Sequence, residues 1–249
     1  MGTLDGKSAI VTGGSRGIGK AIVRRLAAEG AQVAFSYLTN ESAASEVVDQ
    51  VARHGGKAVA IQADQGSIDE LSRLFDQAGS WLGGLDVVVC NAAECVPIPI
   101  SEVTEQSYDR VMAINAKGPF FVIQHAARSL AQGGRIIGIS SLDTVLHSPG
   151  GALYSASKAA LEQFIMVAAI ELGARGITAN VVSPGATDTD MLRNANPGET
   201  FEVESLVEQT ALGRLGTPQD IAAVVAFLAG PDGRWVTGQN IRATGGFMP

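Results

Sequence analysis

The chain has 249 residues, 46% of them hydrophobic, which suffices for one sizeable core and predicts a single domain over residues 1–249. Its net charge of −7 comes without a basic cluster, which argues against a nucleic-acid partner. It has no long apolar stretch, no signal-peptide pattern over Met1 to Lys7, and only Cys90, Cys95 and three histidines, so we expect a cytoplasmic protein with no membrane span, disulfide framework or metal site.

Strand-like and helix-like segments alternate along the whole chain. The apolar, β-type segments are Ser8–Val11, Gln32–Ser36, Ala58–Gln62, Asp86–Cys90, Arg135–Ile139, Ile177–Val182 and Asn240–Ala243. The helical segments are Ile18–Glu29, Ser42–His54, Ser67–Leu82, Glu105–Leu130, Leu153–Arg175 and Pro218–Ala229. Because each right-handed crossover lays its helix against the sheet, this order predicts an α/β fold with a doubly wound, seven-stranded parallel sheet of the Rossmann type.

A glycine-rich turn follows the first strand, with the sequence Thr-Gly-Gly-Ser-Arg-Gly-Ile-Gly over residues 12–19. Glycines allow tight turning, and the free amides of the following helix attract pyrophosphate oxygens. Such a turn alone is weak evidence, since other nucleotide folds and ordinary turns also use it. Its spacing resembles the T-G-x-x-x-G-x-G signature of the short-chain dehydrogenase/reductase family, which implies cofactor contacts from Gly13, Ser15, Arg16, Gly17, Ile18 and Gly19.

The end of the second strand bears on which nicotinamide cofactor is used. A carboxylate there would bind the ribose hydroxyls and repel a 2′-phosphate. The chain has Tyr37 at that place, and Arg16 in the glycine turn could pair with a 2′-phosphate. NADP(H) is therefore predicted over NAD(H), and the alternative is that Arg16 is a solvated surface charge.

Two further residues follow the third and fourth strands. The resemblance implies that Asp64 contacts the adenine and that Asn91 braces the central strand beside the cofactor. Residues 90–93 read Cys-Asn-Ala-Ala where the family usually has Asn-Asn-Ala-Gly, so two positions depart from the pattern. Each residue also has an ordinary interpretation, because Asp often caps a helix and Asn often forms an Asx turn.

Four residues match the catalytic tetrad of the same family. Tyr154 and Lys158 stand four places apart on a predicted helix, so they share a face, and a nearby cation is expected to lower the pKa of the phenol toward neutrality. Ser141 precedes Tyr154 by the family's interval and is expected to bind a carbonyl oxygen, whereas Ser140 faces away. The resemblance implies that Asn115, on a helix, organises water toward Lys158; alone it would be an ordinary polar helix residue.

Downstream residues continue the match to the end of the chain. Pro184, Gly185, Thr187 and Thr189 resemble the family's Pro-Gly turn and its cofactor-amide contacts, with Thr189 expected at the nicotinamide carboxamide or a phosphate. The poorly patterned interval 188–213 is predicted to be a mobile substrate lid. Its alternative is a surface helix with a solvated acidic face.

The resemblance implies an NADP(H)-dependent oxidoreductase that interconverts a ketone and a secondary alcohol, with Tyr154 as the general acid and base. The pattern is most similar to 3-oxoacyl-[acyl-carrier-protein] reductases. A 3-oxoacyl thioester, possibly carrier-bound, or a polyketide-like carbonyl compound is the expected substrate; a small ketone, steroid or sugar stays open. An apolar pocket is predicted from Val96, Pro97, Ile98, Pro99, Leu142, Val145, Leu146, Met191 and Phe201.

Two rival functions each require a sequence feature that this chain lacks. A catalytically silent NADP-binding sensor or scaffold would be marked by a broken tetrad, and the tetrad is complete. A Rossmann-like methyltransferase would want an acid where Tyr37 stands. Members of the family generally form tetramers through the long helices, here Glu105–Leu130 and Leu153–Arg175, and through the C-terminal region, so a homotetramer is expected.

Overall fold

The computed structural model of the protein describes residues 2–193 and 203–247. Within them, seven strands form one sheet. The strands are β1 (Ser8–Val11), β2 (Gln32–Tyr37), β3 (Lys57–Gln62), β4 (Val87–Cys90), β5 (Arg135–Ile139), β6 (Thr178–Pro184) and β7 (Asn240–Ala243). The helices are α1 (Gly17–Ala28), α2 (Glu41–Arg53), α3 (Ile68–Leu82), α4 (Glu105–Met112), α5 (Gly118–Ser129), α6 (Ala152–Glu171), α7 (Asp190–Arg193), α8 (Val203–Glu208) and α9 (Pro218–Ala229).

The sheet is parallel throughout, and its strand order is β3-β2-β1-β4-β5-β6-β7. Successive side chains of a strand point to opposite faces. In β1, Ala9 and Val11 accordingly pack into a core with α1, α2 and α9, while Ile10 packs into a second core with α3, α5 and α6. Both faces are therefore covered, and the predicted Rossmann-type, doubly wound sheet is confirmed.

Two predicted helices differ from the structure by more than one residue at an end. The segment predicted as one helix over Glu105–Leu130 is divided into α4, a π-helical turn over Ala113–Lys117, and α5. The helix predicted over Leu153–Arg175 is α6, which ends at Glu171 and is followed by a 3₁₀ turn over Gly173–Arg175. Apolar periodicity could not show the π-helical turn, since it averages over several turns and does not register one inserted residue. The end of α6 did have a signal, because Gly173 and Gly176 follow it closely.

Side-chain caps define where several helices begin. Asn40, Ser67, Thr104 and Thr217 each accept a backbone N–H in the first turn of α2, α3, α4 and α9, respectively. Such a cap satisfies an amide that has no partner within the helix. By contrast, no side chain of the described residues caps α1, which begins directly after Arg16. The amides at this helix end are left for a ligand or solvent.

The reversal of strand order between β1 and β4 determines where a ligand fits. The chain passes from β1 to β2 and β3 on one side and returns to β4 on the other. The adjoining crossovers therefore run to opposite sides, and a crevice opens at the carboxyl ends of β1 and β4. The glycine turn and the segment after β4 both start at this crevice.

The interval predicted as a lid, 188–213, contains the short helices α7 and α8 in its described parts. Arg193 pairs with Asp188 at 2.7 Å beside α7. Residues 194–202 of the interval, and with them Phe201, lie outside the described residues. The mobility of a lid stays a prediction.

The described residues were compared with the requirements of a membrane-spanning helix and of a metal-ion site. None of their helices combines the length and the apolar character that a bilayer span requires. Across 2–193 and 203–247, histidine, cysteine, aspartate and glutamate side chains form no group of three that could bind a metal ion.

Candidate active site

The glycine turn packs so tightly that its backbone conformation is restricted. Gly13 and Gly17 have φ of +68° and +53°, which side chains other than glycine rarely adopt. A Cβ on Gly19 would lie 2.1 Å from the carbonyl oxygen of Gly13. The turn is also tied to β2, because the Gly13 amide donates to the Ser36 hydroxyl at 2.9 Å. Ser15 is half-buried in this turn, and Ile18 packs against the core.

Asn91 joins the end of β4 to this turn. Its Nδ2 donates to the carbonyl oxygens of Thr12 at 2.8 Å and Gly13 at 3.0 Å. In return, the Thr12 hydroxyl accepts the amides of Asn91 and Ala92, both at 3.0 Å. A Cβ on Gly13 would lie 2.9 Å from Ala92 Cα. The two strand ends thus hold each other without an intervening gap, and the Asn91 amide is used in bracing them.

The residues expected around the adenine end lie at the same edge of the sheet. Tyr37 ends β2 and is half-buried, and Arg16 is exposed just before α1. Among the described residues, Arg16 takes part in none of the ion pairs. Asp64 accepts the Gly66 amide at 2.8 Å through Oδ1, which is an Asx turn. Asp64 therefore forms a local turn and not the helix cap that was its ordinary interpretation, since Ser67 caps α3; its adenine contact stays a prediction.

The turn after β6 lies opposite the glycine turn. Pro184 ends β6, and Gly185 packs against Thr244, whose Cα would be 3.0 Å from a Cβ on that glycine. Thr187 is buried and donates to the Gly185 carbonyl oxygen at 3.0 Å. A Cβ on Gly17 would lie 3.6 Å from Thr189 Cγ2, so the two turns are neighbours across the crevice.

Tyr154 and Lys158 lie side by side in the first half of α6, as their spacing predicts. Tyr154 is 9% and Lys158 2% exposed. The Lys158 Nζ lies 5.7 Å from the centroid of the Tyr154 ring and donates to the Ile139 carbonyl oxygen at 2.7 Å. The cation is therefore anchored to the end of β5, and the neighbouring ring lies against it.

The titration behaviour of this pair corrects one expectation. Burial lowers the pKa of Lys158 to about 8, against a weaker upward effect of the Glu162 carboxylate. Burial also raises the pKa of Tyr154 well above its usual range; Cys95 and Asp143 add to that rise, and the nearby Ser141 hydroxyl opposes it. The predicted lowering of the phenol's pKa by Lys158 was wrong for this structure. Removal from water is the largest cause of the shift, and the phenol is held in its neutral, proton-donating form.

Ser141 follows β5 and faces a carboxylate that sequence reasoning did not single out. The Ser141 hydroxyl donates to Asp143 Oδ2 at 3.0 Å and accepts the Asp143 amide at 3.2 Å. Ser140 points elsewhere, as expected, and donates to Glu162 Oε1 at 2.6 Å. The signal available in the sequence was the Ser-x-Asp spacing, which favours a local turn of this kind.

Asn115 is fully buried in the π-helical turn between α4 and α5. Its Oδ1 accepts the Glu94 amide at 2.9 Å, and its Nδ2 donates to the Glu94 carbonyl oxygen at 2.7 Å and to Ser157 Oγ at 3.1 Å. Ser157 in turn donates to the Tyr154 carbonyl oxygen at 2.7 Å. Asn115 thus links the segment after β4 to the turn of α6 that carries Tyr154. The water-organising role of Asn115 stays a prediction, and the contribution of Ser157 was not anticipated.

One segment of the predicted substrate pocket, the loop after β4, packs against the loop before α6, and the pocket as a whole stays a prediction. The Ile98 amide donates to the Gly150 carbonyl oxygen at 3.0 Å, which joins the loop after β4 to the loop before α6. Val96 is exposed, whereas Leu142 is buried. Cys95 is partly buried in the same place, and Cys90 is fully buried; burial raises their pKa values to about 11 and about 12. Both are therefore thiols near neutral pH, which does not favour a nucleophilic role.

The glycine turn and the beginning of α1 fit the pyrophosphate of a dinucleotide. The glycine turn has no room for a Cβ at Gly19, the α1 end is not capped by any described side chain, and Thr189 closes the opposite side. A helix end with free amides and a positive dipole favours an anion. The tetrad lies further along the same edge, because β5 and β4 are neighbours in the sheet.

Comparisons with known proteins agree with this arrangement. A family model described as Enoyl-(Acyl carrier protein) reductase matches residues 13–248. The chain is 46% identical over 255 residues to the hydroxynaphthalene reductase-like protein Arp2 of Metarhizium majus, covering 98% of this chain and 96% of that one.

Two solved structures resemble the whole chain. A dehydrogenase/reductase from Sinorhizobium meliloti has a TM-score of 0.93 at 46% identity, over 99% of this chain and 96% of that chain. A blue fluorescent protein from a metagenomic library, solved in complex with NADPH, has a TM-score of 0.92 at 47% identity, over 99% of this chain and 100% of that chain.

Proposed function

The chain is an oxidoreductase of the short-chain dehydrogenase/reductase family, and we propose that it uses NADP(H) to interconvert a ketone and a secondary alcohol. The observation that carries the proposal is the buried Tyr154–Lys158 pair beside Ser141, at the sheet edge that also carries the glycine turn. A polyketide-like carbonyl compound is the proposed substrate. The name of the Metarhizium relative supports that choice over a 3-oxoacyl thioester.

NADP(H) is proposed because the β2 end offers Tyr37 in place of an acid and because Arg16 is exposed at the edge of the glycine turn. The solved relative with NADPH supports the same choice. The pyrophosphate would be held by the glycine turn and α1. Asp64 would contact the adenine, and Asn91 would lie beside the middle of the cofactor. Thr187 and Thr189, with Pro184 and Gly185, would hold the nicotinamide end, near Tyr154 and Lys158.

The nicotinamide ring, when bound, supplies or accepts the hydride. In the reductive direction, Tyr154 donates its proton to the substrate oxygen as that oxygen gains negative charge. The raised pKa of the buried phenol keeps this proton in place until it is needed. The Ser141 hydroxyl orients the carbonyl by a second hydrogen bond. Lys158, whose pKa of about 8 lies near neutrality, can then return a proton toward Tyr154, and Asn115 fixes the turn of α6 that carries both.

Following NADPH absorbance with several substrates tests this proposal. The panel comprises 1-tetralone and its hydroxylated derivatives, a 3-oxoacyl thioester and a 2-enoyl thioester. We expect oxidation of NADPH with the tetralones and a drop in kcat of about 10³-fold in Tyr154→Phe, the size expected for loss of a general acid. Tyr108→Phe, an exposed tyrosine on α4, is the matched control and should keep full activity.

The other outcomes separate the alternatives. Preference for the 3-oxoacyl thioester would replace the polyketide-like substrate, and reduction of the enoyl thioester alone would replace ketone chemistry. NADPH binding without turnover of any compound in the panel would favour the silent sensor. Full activity of Tyr154→Phe would refute the proposed mechanism.

We also propose that the chain forms a homotetramer through α5, α6 and its C-terminal region. Large apolar side chains are exposed on these segments: Phe120 at 44%, Ile170 at 83% and Trp235 at 95%. Exposed apolar surface of this kind favours an interface. Light scattering should give four times the chain mass, and Ile170→Glu should reduce it. Ile100→Glu, at an equally exposed residue outside these segments, should not.

A further inference from the structure

One carboxylate at the candidate site has no part in the mechanism above. Asp143 lies two residues after Ser141, in the 3₁₀ turn Leu142–Thr144, and is half-buried. Its Oδ2 accepts the Ser141 hydroxyl at 3.0 Å. Within 2–193 and 203–247, no lysine, arginine or histidine forms an ion pair with it. An acid without a cationic partner therefore stands beside the groups that are to bind a carbonyl oxygen.

The charge of Asp143 is felt by the neighbouring groups. Burial is the largest cause of the raised pKa values of Tyr154 and Cys95, and the Asp143 carboxylate adds to both. Asp143 is therefore close to both side chains, and its hydrogen bond with Ser141 sets it directly beside the hydroxyl that is to bind the carbonyl oxygen.

The Ser141 proton has two competing acceptors. A serine hydroxyl has one proton to donate, and in this structure it points to Asp143. To donate to a carbonyl oxygen, the Ser141 hydroxyl must rotate away from Asp143, and the Asp143 carboxylate then loses this hydrogen bond. A hydroxyl on the substrate can replace the lost hydrogen bond, and a substrate carboxylate would instead face a like charge.

The available distances limit where that hydroxyl can be. With 3.0 Å between Ser141 Oγ and Asp143 Oδ2, and a hydrogen bond of about 2.7 Å from Ser141 to the carbonyl, the two acceptor oxygens lie within about 6 Å of each other. A hydroxyl on either of the two carbon atoms next along from the carbonyl carbon can bridge that span.

Resting on the proposed function, we propose that Asp143 is a specificity-determining residue that accepts a hydrogen bond from a substrate hydroxyl near the reacting carbonyl and disfavours anionic substrates. The site then takes hydroxylated, uncharged ketones. A plain 3-oxoacyl chain has no such donor, whereas hydroxylated bicyclic ketones do.

Four ketones test the proposal: 1-tetralone, 2-hydroxy-1-tetralone, 3-hydroxy-1-tetralone and 1-tetralone-3-carboxylate. For the wild type, we expect kcat/KM for at least one hydroxylated ketone to exceed that for 1-tetralone about tenfold, and that for the carboxylate to be about tenfold lower, in line with a hydrogen bond to a charged group. In Asp143→Asn, the carboxylate should gain about tenfold and the preference for the hydroxylated ketone should fall to about threefold or less. Asp49→Asn, on the exposed side of α2, is the matched control and should change neither ratio.

A second measurement does not depend on turnover or on the variant. Calorimetric titration of the wild type holding NADP⁺ with each ketone gives their binding order in a dead-end complex. Tightest binding of a hydroxylated ketone, weaker binding of 1-tetralone and weakest binding of the carboxylate support the proposal even if no ketone is reduced. In that case only the proposed function fails. Equal affinities, binding of none of the four, or unchanged ratios in Asp143→Asn would overturn the role of Asp143.

Discussion

Two regions meet at the crevice, the glycine turn of residues 12–19 and the first half of α6 with Tyr154 and Lys158. The glycine turn is held by backbone groups in close contact, and its Gly19 has no room for one more carbon atom. The start of α6 instead buries an amine and a phenol, and the cost of removing them from water shifts both pKa values. The first region depends on shape and the second on charge, so different substitutions should damage them.

The largest difference should appear in stability, at Lys158. Folding lowers its pKa from 10.5 to about 8, so between these pH values the unfolded chain holds a proton that the folded protein has released. The unfolding free energy of the wild type should therefore rise with pH over this window, and below pH 8 the buried charge costs up to about 3 kcal/mol. Lys158→Met should be inactive yet more stable than the wild type at pH 7, with the gain shrinking toward pH 10.

Urea unfolding of the wild type and Lys158→Met at pH 7 and pH 9.5 measures this gain. Lys57→Met, at an exposed lysine of β3, is the control and should show no comparable pH-dependent difference. Equal destabilisation of Lys158→Met at both pH values would show that burying the Lys158 charge does not lower the stability of the wild type.

A steric change should act on the other region. In Gly19→Ala, the added Cβ meets the Gly13 carbonyl oxygen at 2.1 Å and Asn91 Nδ2 at 2.5 Å, so the turn must shift. We expect NADPH binding, measured by fluorescence titration, to weaken about a hundredfold, because the free amides of α1 lose their alignment.

A second glycine in a helix serves as its control. A Cβ on Gly79 of α3 meets nothing within 4 Å, so Gly79→Ala should leave NADPH binding unchanged and stabilise the fold by about 0.5–1 kcal/mol. Wild-type affinity in Gly19→Ala would mean that the turn is less rigid than its contacts indicate.

The smallest effect concerns charge at the edge of the glycine turn. Arg16→Ala should raise the Kd for NADPH about tenfold, because one charge-assisted hydrogen bond to the 2′-phosphate is lost. The Kd for NADH should stay the same, which serves as the internal control. If Arg16→Ala weakens the binding of both cofactors equally, or leaves both unchanged, Arg16 is the solvated surface charge of the alternative interpretation.

The sequence by itself determined the alternation of strands and helices along the chain, the glycine turn and the spacing of the tetrad, because these follow from local periodicity and from residue intervals along one helix or turn. The strands Ser8–Val11, Arg135–Ile139 and Asn240–Ala243 match their predicted bounds. Only the tertiary structure decided the direction of the Tyr154 pKa, the π-helical turn that buries Asn115, and the carboxylate of Asp143 beside Ser141. Burial and the balance of charges are summed over segments distant in sequence, so no local pattern contains them.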